Sequence, residues 1–423
     1  MDELSRREHD VQIITSKMEK VSRPIEEGNA YPTHRKLHLV SIPMGGEKFL
    51  EKLRSLRLLS GRGQPPQTIL QNMFRVSYNG FSFTRDLFYD FIDTGFVENK
   101  IRMFKPDVVY LGHMTGFSRA ILPYLTGMQI PIVYDEGGSG LIDMWEERSP
   151  WYQLVSQGGK ETGIVRYLID GGVMLFSKLS RNRLKKQWMW PGRVQIIFNG
   201  ELNRRNAISK GVPAGNASVI HSGIDEKLFK FEPRSGLNSP IVILIPGRIE
   251  PHKGQVDGVR LIAQLDQMGI EANLLMVGEA WSPGYYSELM ERINKQGLKD
   301  EVKIISMLDH EALVKHYQHC DFCFFPSYQD NGFSRVPLEA MACGCVVISY
   351  GNEGSDEIIK DHDNGFLVEP GDIPGVANII MEMIHSPRIV NDIAINARKT
   401  IEANYTMIKY VDQIEELITQ PEY

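Results

Sequence analysis

The feature that most constrains the fold is a regular alternation, in residues 235–423, between short apolar runs and longer stretches with helical periodicity. Residues Val256–Ile270, for example, place their apolar side chains on one face of a helix. The apolar runs predicted to be strands are Ile241–Ile245, Asn273–Val277, Val302–Ile305, Phe322–Phe325, Val346–Ile348 and Phe366–Val368. This alternation predicts a doubly wound parallel sheet, whose loops gather at the carboxyl ends of the strands.

The first half of the chain alternates less regularly. Its predicted strands are Val11–Thr15, Leu37–Ile42, Val108–Leu111, Ile130–Tyr134, Gly172–Phe176, Gln195–Phe198 and, near the junction, Ala217–Ile220. We therefore expect an α/β protein with two doubly wound, Rossmann-like domains facing across a cleft. The predicted domains are residues 1–213 and 214–400, followed by a helical segment at 401–423.

The composition excludes several classes of protein. Of the 423 residues, 42% are hydrophobic and 24% are charged, which is typical of a globular protein and of neither a disordered nor a fibrous one. No apolar run approaches the roughly 18–20 residues that span a bilayer. The start of the chain is acidic and polar, unlike a secretory signal. We expect a cytoplasmic protein.

The four cysteines allow two interpretations. Cys320 and Cys323 are spaced like half of a zinc site, with Cys343 and Cys345 as the other half. However, the first pair lies at a predicted buried strand, where residues 320 and 323 face opposite sides. Buried structural thiols are the favoured interpretation, and no metal site is predicted.

Charge is distributed unevenly along the chain. The net charge of −6 combines +8 for residues 1–234 with −14 for residues 235–423. Residues 178–210 hold nine basic residues against one acid, Glu201, together with Trp188 and Trp190. Such a surface can dock on anionic lipid headgroups, but a solvated helix face explains it equally well.

Two loops carry candidate chemistry, and the first directly follows the strand Ile241–Ile245. Gly247 permits close approach of a ligand to the backbone, and Arg248 and Lys253 follow on the same loop. A guanidinium and an ammonium that converge on one anion suit a diphosphate. The alternative is a solvated turn in which Arg248 pairs with Glu250.

The second loop follows the strand Phe322–Phe325. It contains Asn331 and Gly332, and a helix is predicted to open near Val336–Pro337. Backbone N–H groups at that helix start can receive anionic or hydroxyl oxygens. Glu339, in the first turn, can accept both hydroxyls of a ribose or sugar diol. Alternatively, it complements the helix dipole and pairs with Arg335.

Together these loops identify a family resemblance. Residues 217–419 resemble the donor-binding domain of the family 4 retaining glycosyltransferases, which have the GT-B fold. The matching segments are Val219–Asp225, Gly247–Gly254, Asn331–Gly344 and Asn364–Val368. The first half is similar more weakly, chiefly through Pro106–His113.

The resemblance implies a role for each matching residue. Arg248 and Lys253 would stabilise the departing nucleoside diphosphate, with Gly247 beside them. Glu339 would hold the ribose. The donor sugar and diphosphate would face Asp330, Asn331, Gly332, Phe333 and Ser334. His113 would be the cleft histidine near the donor sugar, although a lone histidine at a strand end is often structural. In such a protein the helical segment at 401–423 packs back toward the first domain.

Two features depart from the family pattern. Where the family has the first of two glutamates separated by seven residues, this chain has Asn331, which hydrogen-bonds hydroxyls but supplies no negative charge. In addition, Leu4–Asp10 reads as the end of the first helix and Val11–Thr15 as the second strand, so the opening strand and glycine loop are expected to be missing. The alternative, that Val11–Thr15 is the first strand, leaves no glycine loop after it.

Acceptor-binding candidates follow the strands of the first half. Asp135 and Glu136 come after Ile130–Tyr134, and Asn199 comes after Gln195–Phe198.

The sequence thus predicts a metal-independent, retaining hexosyltransferase of polysaccharide biosynthesis with no cofactor beyond its nucleoside-diphosphate-sugar donor. Its expected acceptor is a glycan or lipid-linked glycan rather than a nucleic acid. A peripheral position on the inner face of the membrane would follow from residues 178–210. The alternatives left open are a catalytically degenerate nucleotide-sugar-binding protein and a nucleotide-sugar epimerase or hydrolase on the same fold.

Overall fold

A computed structural model describes residues 90–112, 120–137, 141–142, 194–233, 236–329 and 332–419, together with 13–16, 33–37 and the single residues 4, 7 and 178. By its contacts the chain divides into two compact units. One comprises Met1–Asp135, Gly140–Ile196 and Gln420–Tyr423, and the other comprises Glu136–Ser139 and Ile197–Thr419. The predicted domain limits of 1–213, 214–400 and 401–423 stay a prediction beside this division.

In the first unit, short parallel pairs of strands are described. Strand β1 (Ile13–Ser16) pairs with β2 (Thr33–Leu37), and β3 (Val109–Gly112) pairs with β4 (Ile132–Glu136). Residues 90–104 are helical, and helix α1 spans Ile121–Leu125. Tyr134 on β4 is fully buried, as expected of a central strand.

The predictions for this half agree with the structure in part. A strand was predicted at Leu37–Ile42, but the strand observed there is Thr33–Leu37, and residues 38–42 lie outside the described ones. Since the first four of the five residues in Thr33–Leu37 are polar or basic, the strand gives little of the apolar signal on which the prediction relied. The strand predicted at Gly172–Phe176 also lies outside the described residues. Whether an opening strand is missing stays a prediction.

The second unit is built on a parallel sheet of six strands: β7 (Ile241–Pro246), β8 (Ala272–Val277), β9 (Val302–Ile305), β10 (Phe322–Phe325), β11 (Val346–Ser349) and β12 (Phe366–Leu367). Their order across the sheet is β12-β11-β10-β7-β8-β9. Each agrees with its predicted strand to within one residue at either end. The first three strands run outward from β7 in one direction and the last three run outward from β10 in the other. The direction in which successive strands are added across the sheet therefore reverses between β7 and β10.

Helices connect the strands of this sheet and follow it. They are the 3₁₀ turn Pro251–Lys253, α3 (Gln255–Gln267), α4 (Pro283–Gln296), α5 (His310–His319), α6 (Val336–Cys343), α7 (Ser355–Ile358), α8 (Ile373–His385), α9 (Pro387–Asn404) and α10 (Met407–Thr419). Strand β5 (Val194–Phe198) precedes α2 (Glu201–Ser209) and β6 (Ser218–Val219), and its last two residues, Ile197 and Phe198, belong to the second unit and pair with β6.

The core lies on both faces of the six-stranded sheet. Ile243 and Ile245 face one buried cluster, whereas Leu244 between them faces the other. This alternation is why most positions in these strands are apolar, because a parallel sheet covered by helices on both sides has little solvent-facing surface. The predicted fold class is confirmed.

The cysteines belong to this core. All four are buried free thiols, and the Sγ atoms of Cys320 and Cys345 lie 2.9 Å apart. Burial raises the pKa of the Cys343 thiol. Among the described residues there is no group of three or more His, Cys, Asp or Glu side chains arranged to hold a metal ion. The predicted burial of these thiols is therefore confirmed.

Within the described ranges, no helix has both the length and the apolar character needed to cross a membrane.

Candidate functional site

Three loops meet where the six-stranded sheet reverses direction, between the carboxyl ends of β7 and β10. The loop after β7 contacts the loop after β10, since Tyr328 N donates to His252 O at 2.8 Å. The loop after β11 joins them, since the Asn352 side chain donates to Ser327 O at 2.8 Å. In open parallel sheets such a reversal forms a crevice in which ligands bind.

Two glycines make this close approach feasible. Gly254 has a φ of 66°, and a Cβ there would stand 2.0 Å from the carbonyl oxygen of Pro326. A Cβ on Gly278 would stand 1.9 Å from the carbonyl oxygen of Gly247, which itself has a φ of 134°. The loop backbones can therefore touch only because these side chains are absent.

Lys253 lies at the centre of the crevice in a nearly buried ion pair. Its Nζ is 2.5 Å from Oε1 of Glu353, and the two side chains are 15% and 7% exposed. Ser327 Oγ donates to the same carboxylate oxygen at 2.5 Å. The Lys253 ammonium also lies 5.9 Å from the centre of the Phe325 ring.

Arg248 occupies the outer part of the same loop and is about half exposed. Its guanidinium lies over the Trp281 ring, 4.7 Å from the ring centre. Its Nε is 3.0 Å from Oε1 of Glu250, an ionic contact without hydrogen-bond geometry. The turn pairing considered from the sequence is thus present, but the guanidinium also makes a cation–π contact with Trp281 and remains open to solvent.

The loop before α6 is held by a chain of amides. Gly332 N donates to Oδ1 of Asn203 at 2.6 Å, and the Asn203 amide donates to Oδ1 of Asn199 at the same distance. Asn199 is buried and donates onward to Gly137 O at 3.2 Å. Asn199, predicted to face the acceptor, thus belongs to the network that supports the loop before α6.

Phe333 and Ser334 are fixed by other neighbours. The Phe333 ring is buried 4.9 Å from the ring of His221, centre to centre. Ser334 N donates to Glu353 O at 2.9 Å. The loop predicted to face the donor sugar is therefore hydrogen-bonded directly to the loop that carries Glu353.

The Glu357 carboxylate links the start of α2 to His221, the residue whose ring contacts Phe333. Its carboxylate accepts from Glu201 N at 2.9 Å and Leu202 N at 3.1 Å, at the start of α2, and lies 2.8 Å from His221 Nε2. Burial acts to raise the pKa of Glu357, but the hydrogen bonds from His221 and the two amides outweigh it and lower this pKa.

Glu339 is almost entirely enclosed at the start of α6. Its Oε2 accepts from the Tyr317 hydroxyl at 3.0 Å, and Oε1 is 3.8 Å from Nε of Arg335. Burial raises the pKa of the Glu339 carboxyl, and burial beside Glu339 raises the pKa of Tyr317. The Arg335 pairing considered from the sequence is present but loose, and the firm partner is Tyr317.

The remaining predicted residues make none of the contacts described above or lie outside the described residues. In the first unit, Asp135 accepts a hydrogen bond from the Tyr110 hydroxyl. Glu136 is buried. His113, Asp330 and Asn331 lie outside the described residues, as do Trp188 and Trp190. The roles predicted for all of these residues stay predictions.

Four residues that contact the site were missed by sequence reasoning: Asn203, Trp281, Glu353 and Glu357. Trp281 follows a strand on a polar loop, which is a usable signal. Glu353 precedes α7 and Glu357 lies within it, in a stretch, Asn352–Glu357, whose sequence reads as an ordinary acidic turn. Only the tertiary structure brings Glu353 to Lys253, 100 residues away along the chain.

The fold and the position of this crevice define a class. A doubly wound parallel sheet with its site at the reversal point is the second half of the GT-B architecture. HepE of Anabaena, solved in complex with UDP-glucose, superposes with a TM-score of 0.56 at 21% identity over 77% of this chain and 81% of that one. Sucrose-phosphate synthase of Thermosynechococcus elongatus superposes with a TM-score of 0.64 at 18% identity, over 99% and 90% of the two chains. The chain has the GT-B fold.

The sequence comparison points to a family. Residues 229–400 match the family described as glycosyl transferases group 1, and this segment contains the whole crevice. Among curated proteins, the chain is similar to a glycogen synthase of Mycobacterium tuberculosis, with 24% identity over 188 residues. That alignment covers 44% of each chain, so the chain spans less than half the length of this relative.

Proposed function

We propose that the protein is a glycosyltransferase that moves a sugar from a nucleoside-diphosphate sugar to an acceptor hydroxyl with retention of anomeric configuration. One observation carries the proposal. Lys253 lies at the reversal point of the sheet and is paired with Glu353 of the loop after β11, whose carboxylate also accepts from Ser327 of the loop after β10, and all three residues lie within the segment that matches glycosyl transferases group 1. An ammonium and a glycine-rich backbone at that point suit a diphosphate.

The donor would lie across the crevice with its diphosphate toward Arg248 and Lys253. Gly247, having no side chain, leaves the loop backbone open to the phosphates. Glu339 would accept the ribose hydroxyls, with Tyr317 fixing its carboxylate. The loop containing Gly332, Phe333 and Ser334 would face the donor sugar, as would Asp330 and Asn331.

In the reaction, the bond between the anomeric carbon and the diphosphate oxygen breaks, and the acceptor oxygen bonds to the same carbon. Arg248 and Lys253 would stabilise the negative charge that grows on the leaving diphosphate. Because this attraction is stronger in the transition state than in the bound donor, it lowers the barrier. The acceptor would attack from the face that the diphosphate leaves, and a phosphate oxygen would take its proton. This chemistry uses no protein nucleophile, and the two cations take the part that a metal plays elsewhere. His113 would lie beside the donor sugar.

The acceptor we propose is a glycan or a lipid-linked glycan, in keeping with polysaccharide biosynthesis. Asp135 and Glu136 are its candidate contacts, while Asn199 would act indirectly through Asn203 and Gly332. We propose UDP as the first nucleotide to test, because HepE was solved with UDP and with UDP-glucose.

The activity test is incubation with UDP-, GDP- and ADP-glucose, with EDTA present, and with or without an acceptor glycan. We expect nucleoside diphosphate release only with acceptor, and an NMR spectrum that shows the donor's anomeric configuration in the product. Arg248→Ala and Lys253→Ala should each reduce turnover by orders of magnitude. Sugar release or epimerisation without acceptor would favour the hydrolase or epimerase alternative. Donor binding without turnover would favour a degenerate binding protein.

The membrane part of the proposal concerns residues 178–210. In the described portion of that stretch, Arg204 is paired with Glu201 at 2.7 Å, and Lys178 is exposed. We expect the protein to float with anionic liposomes at physiological salt and not with neutral ones. Equal behaviour with both kinds of liposome would leave residues 178–210 as a solvated face and refute a peripheral location by this route.

A further inference from the structure

Glu353 is an unexpected residue at its position in the crevice. Its backbone has a φ of 52°, in the left-handed region that favours glycine, and it lies between Gly351 and Gly354, which have φ values of 74° and 72°. A non-glycine residue in this conformation costs roughly 1 kcal/mol or more. A residue keeps such a strained conformation where its other contacts offset the cost.

That contact is the ion pair with Lys253. The Glu353 carboxylate accepts from the Lys253 ammonium and the Ser327 hydroxyl on the same oxygen, at 2.5 Å each. With exposures of 15% and 7%, the two side chains are largely withdrawn from water. The ammonium proposed to bind a diphosphate is therefore already neutralised by a resident carboxylate.

The backbone of Glu353 ties this counter-ion to the rest of the site. Its carbonyl oxygen accepts from Ser334 N, in the loop proposed to face the donor sugar. The neighbouring side chain, Asn352, bonds to Ser327 O. These bonds hold the backbone from which the Glu353 carboxylate reaches Lys253.

We infer that Glu353 is a built-in counter-ion that competes with the donor diphosphate for Lys253 and so sets the affinity for nucleoside diphosphates. This inference rests on the proposed function of the same site. A diphosphate oxygen that reaches the ammonium comes within about 5 Å of the carboxylate. Like charges at that distance repel by an amount worth about fourfold in affinity at the dielectric constant of water and over about a hundredfold at the effective value near a protein surface, so about tenfold is an expectation toward the lower end of that range. Glu353 thus keeps ground-state binding of the phosphates weak, while Lys253 remains correctly placed for the charge that develops on departure.

The test uses three variants and a ladder of ligands. Glu353→Gln removes the charge and keeps the side-chain size, so Lys253 and Ser327 can still donate to the amide oxygen. Glu353→Gly removes the side chain and the backbone strain, and it replaces the first variant if that one fails to fold. Glu291→Gln is the matched control, because it removes one negative charge from the surface of α4 in an exposed pair with Lys295.

Dissociation constants are measured by calorimetry for uridine, UMP and UDP, and for the guanosine and adenosine series. We expect Glu353→Gln and Glu353→Gly to tighten nucleoside diphosphate binding about tenfold, to tighten monophosphate binding less, and to leave nucleoside binding unchanged. Glu291→Gln should match the native protein throughout. Binding that weakens or stays the same in both Glu353 variants, in a native protein that does bind the diphosphate, would overturn the inference alone. No diphosphate binding by any of the proteins would overturn the proposed function and this inference with it.

Discussion

The burial of the Lys253–Glu353 ion pair allows the loss of unfolding free energy in a Lys253 variant to be predicted. Replacing Lys253 with Met preserves the length of the apolar stem but leaves the Glu353 carboxylate 7% exposed and without its cation. Breaking a buried pair from one side costs about 3–5 kcal/mol. Because Ser327 still donates to the carboxylate and Lys253 itself is 15% exposed, we expect the lower end, about 3 kcal/mol of unfolding free energy.

The paired variant Lys253→Met with Glu353→Gln separates this cause from simple loss of packing. With both charges removed, no ion is left without a partner, and the Gln oxygen still accepts from Ser327. Replacing both members of a buried pair is often nearly neutral, so the double variant should lie within about 1 kcal/mol of the native protein. The two substitutions are thus expected to couple by about 2 kcal/mol or more.

Urea denaturation followed by circular dichroism measures these differences, provided that the dependence of the unfolding free energy on urea is the same for each variant. A loss below 1 kcal/mol in Lys253→Met would refute the reasoning. So would a double variant as unstable as Lys253→Met, since the cost would then arise from packing rather than from an isolated charge.

Three further predictions follow from the same contacts. Gly254→Ala should destabilise the protein by about 2 kcal/mol or more in urea denaturation, because its Cβ would meet the Pro326 carbonyl and its φ is positive; a near-neutral effect would contradict the close approach. Because the pKa of Glu357 is lowered in the folded state, the stability it contributes is present above pH of about 4.5 and is lost as pH falls through the folded pKa. The stability difference between the native protein and Glu357→Gln should therefore be constant near neutral pH and shrink in acid, and a difference independent of pH down to 3 would refute this. Glu339→Gln should abolish a preference for UDP over its 2′,3′-dideoxy analogue in calorimetry, whereas an unchanged preference would place the ribose elsewhere.

The sequence predicted the second unit well because its signals are local. Each strand from Ile241–Pro246 to Phe366–Leu367 is a short and mostly apolar run, since both faces of a parallel sheet are covered. The first unit was harder to predict. Strand Thr33–Leu37 carries Arg35 and Lys36 and lacks such a run, so the sequence prediction did not include its first four residues.

The site was predictable where residue type and loop position suffice, as for Lys253 beside Gly254. Contacts across the crevice were not predictable, because they depend on how three separate loops meet. Glu353 reads as a solvated acid in the sequence, and only its backbone conformation and its contact with Lys253 show otherwise. Likewise, the position of Asn199 after a strand suggested an acceptor contact, whereas its hydrogen bonds lead through Asn203 to Gly332.

The central claim is that the crevice at the reversal point of the sheet binds a nucleoside diphosphate through Arg248 and Lys253. A thermal-shift titration with UDP, GDP, ADP and their glucose conjugates, without added metal, tests it most directly. Because ligand binding to the folded state raises the melting temperature by mass action, we predict a dose-dependent rise with one nucleotide family that is lost in Arg248→Ala. No shift with any of the nucleotides, or a shift that Arg248→Ala leaves intact, would contradict the claim.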